Sequence, residues 1–368
     1  MNTSDLTVGV VGATGYAGGE LCRLLLNHPR VQRIVPTARG DENFEHVHPN
    51  LLGSGLAFST LEALKDQAAD VDVVFFCTPS GTAMQHAGWF LDQDCRVIDV
   101  SADFRFPDPD TYRRVYGGEH TAPGLLGEAV YGVTELHRDR IAGSRLVANP
   151  GCYVITAILA LTPILRSGWA DLGQSVHITA VNGTTGAGNK PVRALMHAEA
   201  LNSMLPYSLD GHRHAPELET HLTPEAGRPV SIDLSTAHGN FARGIYLQSS
   251  LQVHPEHRDR MSRDRIIGLL TRFYQGGPQG APEPFVRIIA APRSGGLNVK
   301  DYGLYPQLTA VTGSNFCHIG ADWDGRRGII KLVSTTDNLV KGAAGSAIQN
   351  MNVMLGLDET YALTAYGL

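Results

Sequence analysis

The feature with the most chemical potential is a thiol. Asn149-Pro150-Gly151-Cys152-Tyr153 sets a cysteine just after a tight turn, at the start of a stretch, 153–165, in which Ile155, Ile158, Leu159, Thr162 and Leu165 recur at helical spacing. At a helix N-terminus the backbone dipole and the unpaired N–H groups favour the thiolate, the nucleophilic form of cysteine. The same N–H groups can receive the charge of a tetrahedral intermediate. The competing reading is a buried structural thiol, the ordinary fate of a free cysteine. A thiolate nucleophile needs a proton-transfer partner. The densest imidazole cluster, Gly211-His212-Arg213-His214-Ala215-Pro216-Glu217, reads as a polar loop offering His212 or His214, and spacing gives no choice between them. Arg213 adds a fixed positive charge suited to a phosphate or carboxylate. His-x-His is also a metal pair, but the remaining ligands of a zinc site are not evident nearby. Solvated loop histidines are the plainest alternative.

Two glycine-rich turns accompany these residues. Gly12-Ala13-Thr14-Gly15-Tyr16-Ala17-Gly18 lies between a predicted strand, 7–11, and a predicted helix, 20–27, where backbone N–H groups can face a pyrophosphate. Its spacing of Gly9, Gly12, Gly15 and Gly18 departs from the usual dinucleotide fingerprint, and close packing alone is the competing reading. After the second predicted strand, 31–36, come Thr37-Ala38-Arg39, with no acid before Asp41. An arginine there accommodates a 2′-phosphate, so NADP(H) is favoured over NAD. Cys77-Thr78-Pro79-Ser80 follows a third strand at its carboxyl end and reads as a cofactor-lining loop or an ordinary proline turn. The loop 182–190, Asn-Gly-Thr-Thr-Gly-Ala-Gly-Asn-Lys, with Gly186 and Lys190, could cradle a leaving phosphate.

The elements that must position these groups form two patterns. Up to residue 150 short β-branched runs alternate with helical stretches, which implies an α/β Rossmann-type, doubly wound parallel sheet. Between 151 and 336 longer runs at 176–181, 230–234, 244–252, 286–290, 308–312 and 329–335 are separated by few helices, which implies an α+β substrate and oligomerisation domain with a mixed sheet. The tail 337–368 opens with a helical stripe, 338–355, expected to pack back on the first domain. The proline- and glycine-rich stretch 276–284 reads as a surface loop.

Composition excludes several classes. A length of 368 residues suits two domains, and net charge -6 is the wrong sign for neutralising a nucleic-acid backbone. No apolar run is long enough to span a membrane, no signal peptide is visible, and five scattered cysteines make no disulfide framework, so a reducing cytoplasm is the expected compartment.

Taken in order, Gly12-Ala13-Thr14-Gly15-Tyr16, Ser101-Ala102-Asp103-Phe104-Arg105, Asn149-Pro150-Gly151-Cys152-Tyr153, Gly211-His212-Arg213-His214, Gly313-Ser314-Asn315 and the run from Asp337-Asn338-Leu339-Val340 to Gly345 resemble the N-acetyl-γ-glutamyl-phosphate reductase family, relatives of aspartate-semialdehyde dehydrogenase. The resemblance covers nearly the whole chain. It implies NADPH-dependent reduction of an acyl phosphate to an aldehyde in arginine biosynthesis: Cys152 expels phosphate to form a thioester, the thioester takes hydride, and His212 or His214 handles the proton. It further implies cofactor contacts at Gly12, Thr14, Gly15, Tyr16, Ala17, Thr37, Arg39, Cys77, Thr78, Pro79, Ser101 and Asn338. Substrate contacts are implied at Arg105, Asn149, Gly186, Lys190, Arg213 and Glu217, with no metal and a homodimer or homotetramer. Two stretches depart from the family pattern. Val154-Ile155 replaces Pro-Thr, and the stretch 234–244 is more similar to the branch whose substrate rides on a small acidic amino-group carrier protein. The chemistry is common to both branches, while the substrate differs between a free N-acetylated acyl phosphate and a carrier-bound glutamyl or 2-aminoadipyl phosphate.

Overall fold

The structure, a computed structural model, describes residues 5–276, 282–293, 295–296 and 300–368. The centre of the expected 276–284 loop therefore lies outside the described residues. The chain forms two compact units: Met1–Gly151 with Gly342–Ala365, and Cys152–Lys341 with Tyr366–Leu368.

In the first unit the β-branched runs become β1 (Leu6–Val11), β2 (Val31–Pro36), β3 (Val73–Phe76), β4 (Arg96–Asp99), β5 (Val130–Tyr131) and β6 (Leu146–Ala148). They pair in the order β2-β1-β3-β4-β6-β5, every pair parallel. All four residues of β3 are buried, as a strand covered on both faces requires. The chain order reverses at the β1/β3 boundary, the place where open α/β sheets bind ligands beyond their strand ends. There β1 runs into the Gly12 turn and β3 into Cys77.

The tail differs from its expected form. Asp337–Lys341 belongs to the second unit, Val340–Ala344 is a wide π-helical turn, and the α-helix is Gly345–Met354. Its ten residues are all buried, polar ones included. Asn350 donates to the Gly132 carbonyl at 2.9 Å and accepts from the Thr134 hydroxyl at 2.8 Å, which is why an amide is tolerated in a buried helix.

The strands of the second unit are β7 (Val176–Asn182), β8 (Leu205–Tyr207), β9 (Ile232–His238), β10 (Ile245–Gln252), β11 (Val286–Ile288), β12 (Cys317–Asp324) and β13 (Ile329–Thr336). They form a mixed sheet in the order β11-β12-β13-β10-β7-β9-β8. Helices Cys152–Arg166, His214–Ala226 and Arg263–Gln275 pack on it. The expected strand at 308–312 is instead a short 3₁₀ turn, Leu308–Ala310. β9 runs past residue 234, paired as far as His238 with β7 and β8, and the sequence did not mark this extension because its inward positions, Thr236 and His238, are polar and carry no apolar alternation.

Candidate active site

In the first unit the turn after β1 is built for close approach. Gly12 has φ +82°, and a Cβ there would meet the Cys77 carbonyl oxygen at 2.7 Å; a Cβ on Gly18 would meet Ala13 Cα at 2.7 Å. The turn leads into helix Tyr16–Leu25, whose N-cap, Gly15, brings no side chain to cap the first N–H groups. Thr14 and Ala17 are half-buried beside the exposed Tyr16, and the buried Thr78 hydroxyl oxygen has no hydrogen-bond partner among the described residues. A backbone surface stripped of side chains at a helix N-terminus, with an orphaned hydroxyl beside it, fits a dinucleotide phosphate. Thr37 is buried and its carbonyl accepts from the Ala13 N–H at 3.0 Å, while Arg39 is exposed just beyond β2.

The loop after β3 is held from a distance. Asp103 accepts from the Gly81 N–H at 2.7 Å and the Met84 N–H at 3.0 Å, capping helix Ala83–Asp92 from another loop, and takes the Tyr112 hydroxyl at 3.2 Å. The stretch Cys77, Thr78, Pro79 and Ser80 is thereby held at its end, at Gly81. Asp99 accepts from the Ser101 N–H and hydroxyl and from the Asp103 N–H. Burial and the Asp103 charge raise the Asp99 carboxyl above the usual range, against the pull of Ser101 and Arg105. Burial, with help from Cys22 and Asp99, pushes the Cys77 thiol up, and burial pushes Cys22 up to about 12. Neither thiol is suited to act as a nucleophile.

Arg105 and Asn149, expected to contact substrate, are both hydrogen-bonded within the first unit. The Arg105 guanidinium donates to the backbone carbonyls of Asn149 at 2.9 Å and Val100 at 3.1 Å. The Asn149 side chain donates to the Ala343 carbonyl and accepts from the Ser346 hydroxyl and the Asn350 amide. Both brace the turn that ends the first unit, because buried polar groups must find partners and the protein supplies them.

The second unit opens on Cys152, the first residue of helix Cys152–Arg166 and half-buried; Tyr153 to Leu165 are all buried. Around it stand aromatic and imidazole rings. The Tyr153 and Tyr207 hydroxyls are 3.0 Å apart. Tyr153 meets His212 and His214 edge-on, each at 5.7 Å between ring centroids, and His212 and His214 lie 4.6 Å apart. Tyr207 stacks on His238 at 4.4 Å. Burial pushes both phenols up, and negative charge at Cys152 adds to it, which sets the thiol within electrostatic reach of the two hydroxyls.

The segment expected as a polar loop is the start of a helix, His214–Ala226, in which Pro216 is harmless because first-turn N–H groups have no intrahelical partner. His212, His214 and Glu217 are buried and Arg213 between them is exposed, so the two imidazoles face inward and the guanidinium outward. Among the described residues no group of three or more His, Cys, Asp or Glu stands ready to hold a metal ion.

The glycine-rich loop is tied to two others. Gly183 approaches the Ala242-Arg243 backbone so closely that a Cβ would meet the Ala242 carbonyl oxygen at 2.3 Å. Thr185 donates its hydroxyl to that carbonyl at 2.6 Å and accepts from the Asn338 amide at 2.9 Å, whose oxygen takes the Gly244 N–H at 2.7 Å. Asn338, expected beside the nicotinamide, thus has its amide bound to two loops of the second unit. Asp337, fully buried, accepts from Arg243, from the Gly313 N–H and from the Leu339 and Val340 N–H groups. Gly186 and Lys190 are exposed on the loop.

Family models match both units: the semialdehyde dehydrogenase NAD binding domain over residues 7–144 and the semialdehyde dehydrogenase dimerisation domain over residues 152–338. An N-acetyl-gamma-glutamyl-phosphate reductase of Nitrosomonas europaea is 37% identical over 96% of this chain and 97% of its own length. One from Azotobacter vinelandii is 39% identical over 97% of this chain and 98% of its own. The chain belongs to the N-acetyl-gamma-glutamyl-phosphate reductase family. Among solved structures it shares its fold with aspartate semialdehyde dehydrogenase II of Vibrio cholerae, at TM-score 0.69 and 15% identity over 96% of this chain and 99% of that one. The Candida albicans aspartate semialdehyde dehydrogenase with NADP matches at TM-score 0.61 and 16% identity over 95% of this chain and 98% of that one. The chain is therefore an oxidoreductase of the semialdehyde dehydrogenase type with an NAD(P)-binding domain and a dimerisation domain. Among the described residues no helix is long and apolar enough to cross a membrane.

Sequence reasoning missed Tyr207, His238, Asp103 and Asp337 as parts of the site. Asp103 and Asp337 stood inside quoted motifs, and an acid among glycines, asparagines and backbone turns is itself a signal of backbone capping. Nothing local marks Tyr207, which sits on a three-residue edge strand.

Proposed function

We propose that this chain reduces N-acetyl-γ-glutamyl phosphate to its semialdehyde with NADPH, through a thioester on Cys152. The observation that carries this reading is the half-buried thiol at the start of a buried helix, within electrostatic reach of two phenols that stand beside a pair of inward imidazoles. Relatives with 37–39% identity bear the name of that activity.

The Cys152 thiolate attacks the acyl carbon, and the bond from that carbon to the phosphate oxygen breaks. When bound, the nicotinamide supplies the hydride that takes the thioester to the aldehyde oxidation level. The His212/His214 pair serves the acyl oxygen, and the 183–188 loop with Lys190 and Arg213 receives phosphate. Glu217 lies buried one turn beyond His214. Residues Gly12, Thr14, Gly15, Tyr16 and Ala17 would hold the cofactor phosphates, with the Cys77–Ser80 loop alongside and Ser101 bonded to Asp99 in the same unit; Asn338 is proposed as a further cofactor residue. In the direction that is easiest to follow, the enzyme with NADP, inorganic phosphate and N-acetylglutamate semialdehyde is expected to form NADPH. An absolute requirement for phosphate supports acyl-phosphate chemistry, and NADPH formation without phosphate would contradict it.

Arg39 supports the choice of NADP, since it is the cation that follows β2, where no acid stands to hold a ribose hydroxyl. Arg39→Ala is expected to raise KM for NADPH roughly 10-fold or more, the worth of a charge-assisted hydrogen bond of about 1.5–3 kcal/mol, and to leave the NADH value nearly unchanged. Equal losses with both cofactors would place Arg39 elsewhere.

A carrier-bound substrate is the second reading, favoured by the exposed Lys190 and Arg213; Arg193 is exposed too, 3.8 Å from Glu199. Arg243 does not add to that charge, being paired with Asp337 at 3.0 Å. Activity confined to a protein-bound acyl phosphate and falling steeply with salt would select this reading. The dimerisation domain supports a homo-oligomer, and the reducing cytoplasm remains the proposed compartment.

A further inference from the structure

We infer that His212 serves the reaction as a neutral hydrogen-bond donor, offering its Nε2–H to the oxygen of the acyl carbon, and that no proton is carried through it. The inference rests on the reading of function above and assigns one half of the imidazole pair.

The backbone N–H of His214 donates to Nδ1 of His212 at 3.1 Å. A backbone N–H can only donate, so Nδ1 keeps its lone pair and the proton of the neutral ring sits on Nε2. The bond lies across the turn that enters helix His214–Ala226, so the main chain itself selects the tautomer. The ring is 8% exposed and is held edge-on by Tyr153, Tyr207 and His214. Among the described residues Nε2 has no hydrogen-bond partner, which leaves it as the ring's one polar edge open to a ligand. The charged and titratable groups around the ring are Arg213, Glu217 and His238, together with the two phenols and His214. Burial is the largest influence; with Arg213 and His238 it pushes the His212 pKa down to about 4, against the pull of Glu217. The imidazole is therefore neutral at pH 7.

The proton balance asks for such a group. Attack by the thiolate puts negative charge on the acyl oxygen, and collapse breaks the carbon–oxygen bond to phosphate. The one proton that the overall reaction consumes ends on that phosphate. Hydride addition to the thioester carbon puts negative charge on the same oxygen again, and collapse re-forms the C=O bond and returns the thiolate without a proton transfer. The acyl oxygen thus needs a donor twice and an acid at neither stage. A preorganised N–H in a water-poor site is the usual means of stabilising such charge. A depressed pKa keeps an imidazole in the form that polarises a carbonyl.

His212→Gln places an amide N–H near the position of Nε2, whereas His212→Phe keeps a ring without a donor. Two readouts apply to both variants: release of inorganic phosphate from the acyl phosphate in the absence of cofactor, and the pH profile of kcat/KM. His212→Gln is expected to stay within about 10-fold of wild type, with the acid limb of the profile unmoved, while His212→Phe loses about 10²–10³-fold in both measurements. Equal loss in the two variants, or disappearance of the acid limb in His212→Gln, would overturn the assignment. The failure of the functional reading looks different: wild-type enzyme would release no phosphate from the acyl phosphate at all.

Discussion

Cys152→Ser is expected to lose turnover by on the order of 10⁴-fold or more, the scale seen when a covalent nucleophile is removed, while its Kd for NADPH stays within about 2-fold of wild type. Serine preserves the shape of the first helical residue, so helix Cys152–Arg166, whose buried face extends from Tyr153 to Leu165, has no reason to rearrange. A serine hydroxyl is far harder to ionise than a thiol, and the helix N-terminus that favours the thiolate cannot make up that difference. The cofactor turn of Gly12 to Gly18 belongs to the other unit and is untouched. Titration of NADPH fluorescence alongside steady-state rates checks both halves. Substantial residual reduction would remove the thioester route, and loss of NADPH binding would show that the substitution acts on the fold.

Asp337→Ala is expected to destabilise the second unit by about 3–5 kcal/mol, the cost of leaving a buried partner charge unpaired. The carboxylate is fully buried and collects the Arg243 guanidinium together with the N–H groups of Gly313, Leu339 and Val340. Alanine would orphan all of them at once. For a unit of this size the melting temperature should fall by on the order of 10 °C by calorimetry. Asp337→Asn keeps one acceptor oxygen and should lose less. Because Asn338, next in the chain, ties the Thr185 loop to Gly244, the alanine variant should also lose activity below its melting point. A melting temperature within 2 °C of wild type, on the same scale, would show that the hub is not what holds these loops.

Much of this site was legible because its parts are local. A Pro-Gly turn before an apolar helical period places Cys152 without knowledge of any other element, and the β1–Gly12–helix unit is likewise contiguous. The parallel sheet followed from β-branched runs alternating with helices. What was not legible depends on long-range partners. The His212/His214 segment carries a proline and four polar residues, His212, Arg213, His214 and Glu217, that look like a loop, and it becomes a helix because Leu218 and Leu222 are buried one turn and two turns on. Residues 308–312 have the β-branched composition of a strand, but the hydrogen bonds there close a turn between Leu308 and Ala310. Arg105 and Asn149 are residue types that bind anions and amides, and composition cannot tell that their partners are carbonyls and amides of the chain itself. The same holds for Asn338, whose amide is taken up by Thr185 and Gly244.

The claim on which the account turns is that the acyl group passes through Cys152. Enzyme mixed with the acyl phosphate in the absence of NADPH should gain the mass of one acyl group, on the peptide that contains Cys152, with release of one phosphate. Addition of NADPH should discharge that mass and yield the aldehyde. No adduct on a fully active enzyme, or an adduct on Cys22, Cys77, Cys95 or Cys317 with Cys152 unmodified, would contradict the account.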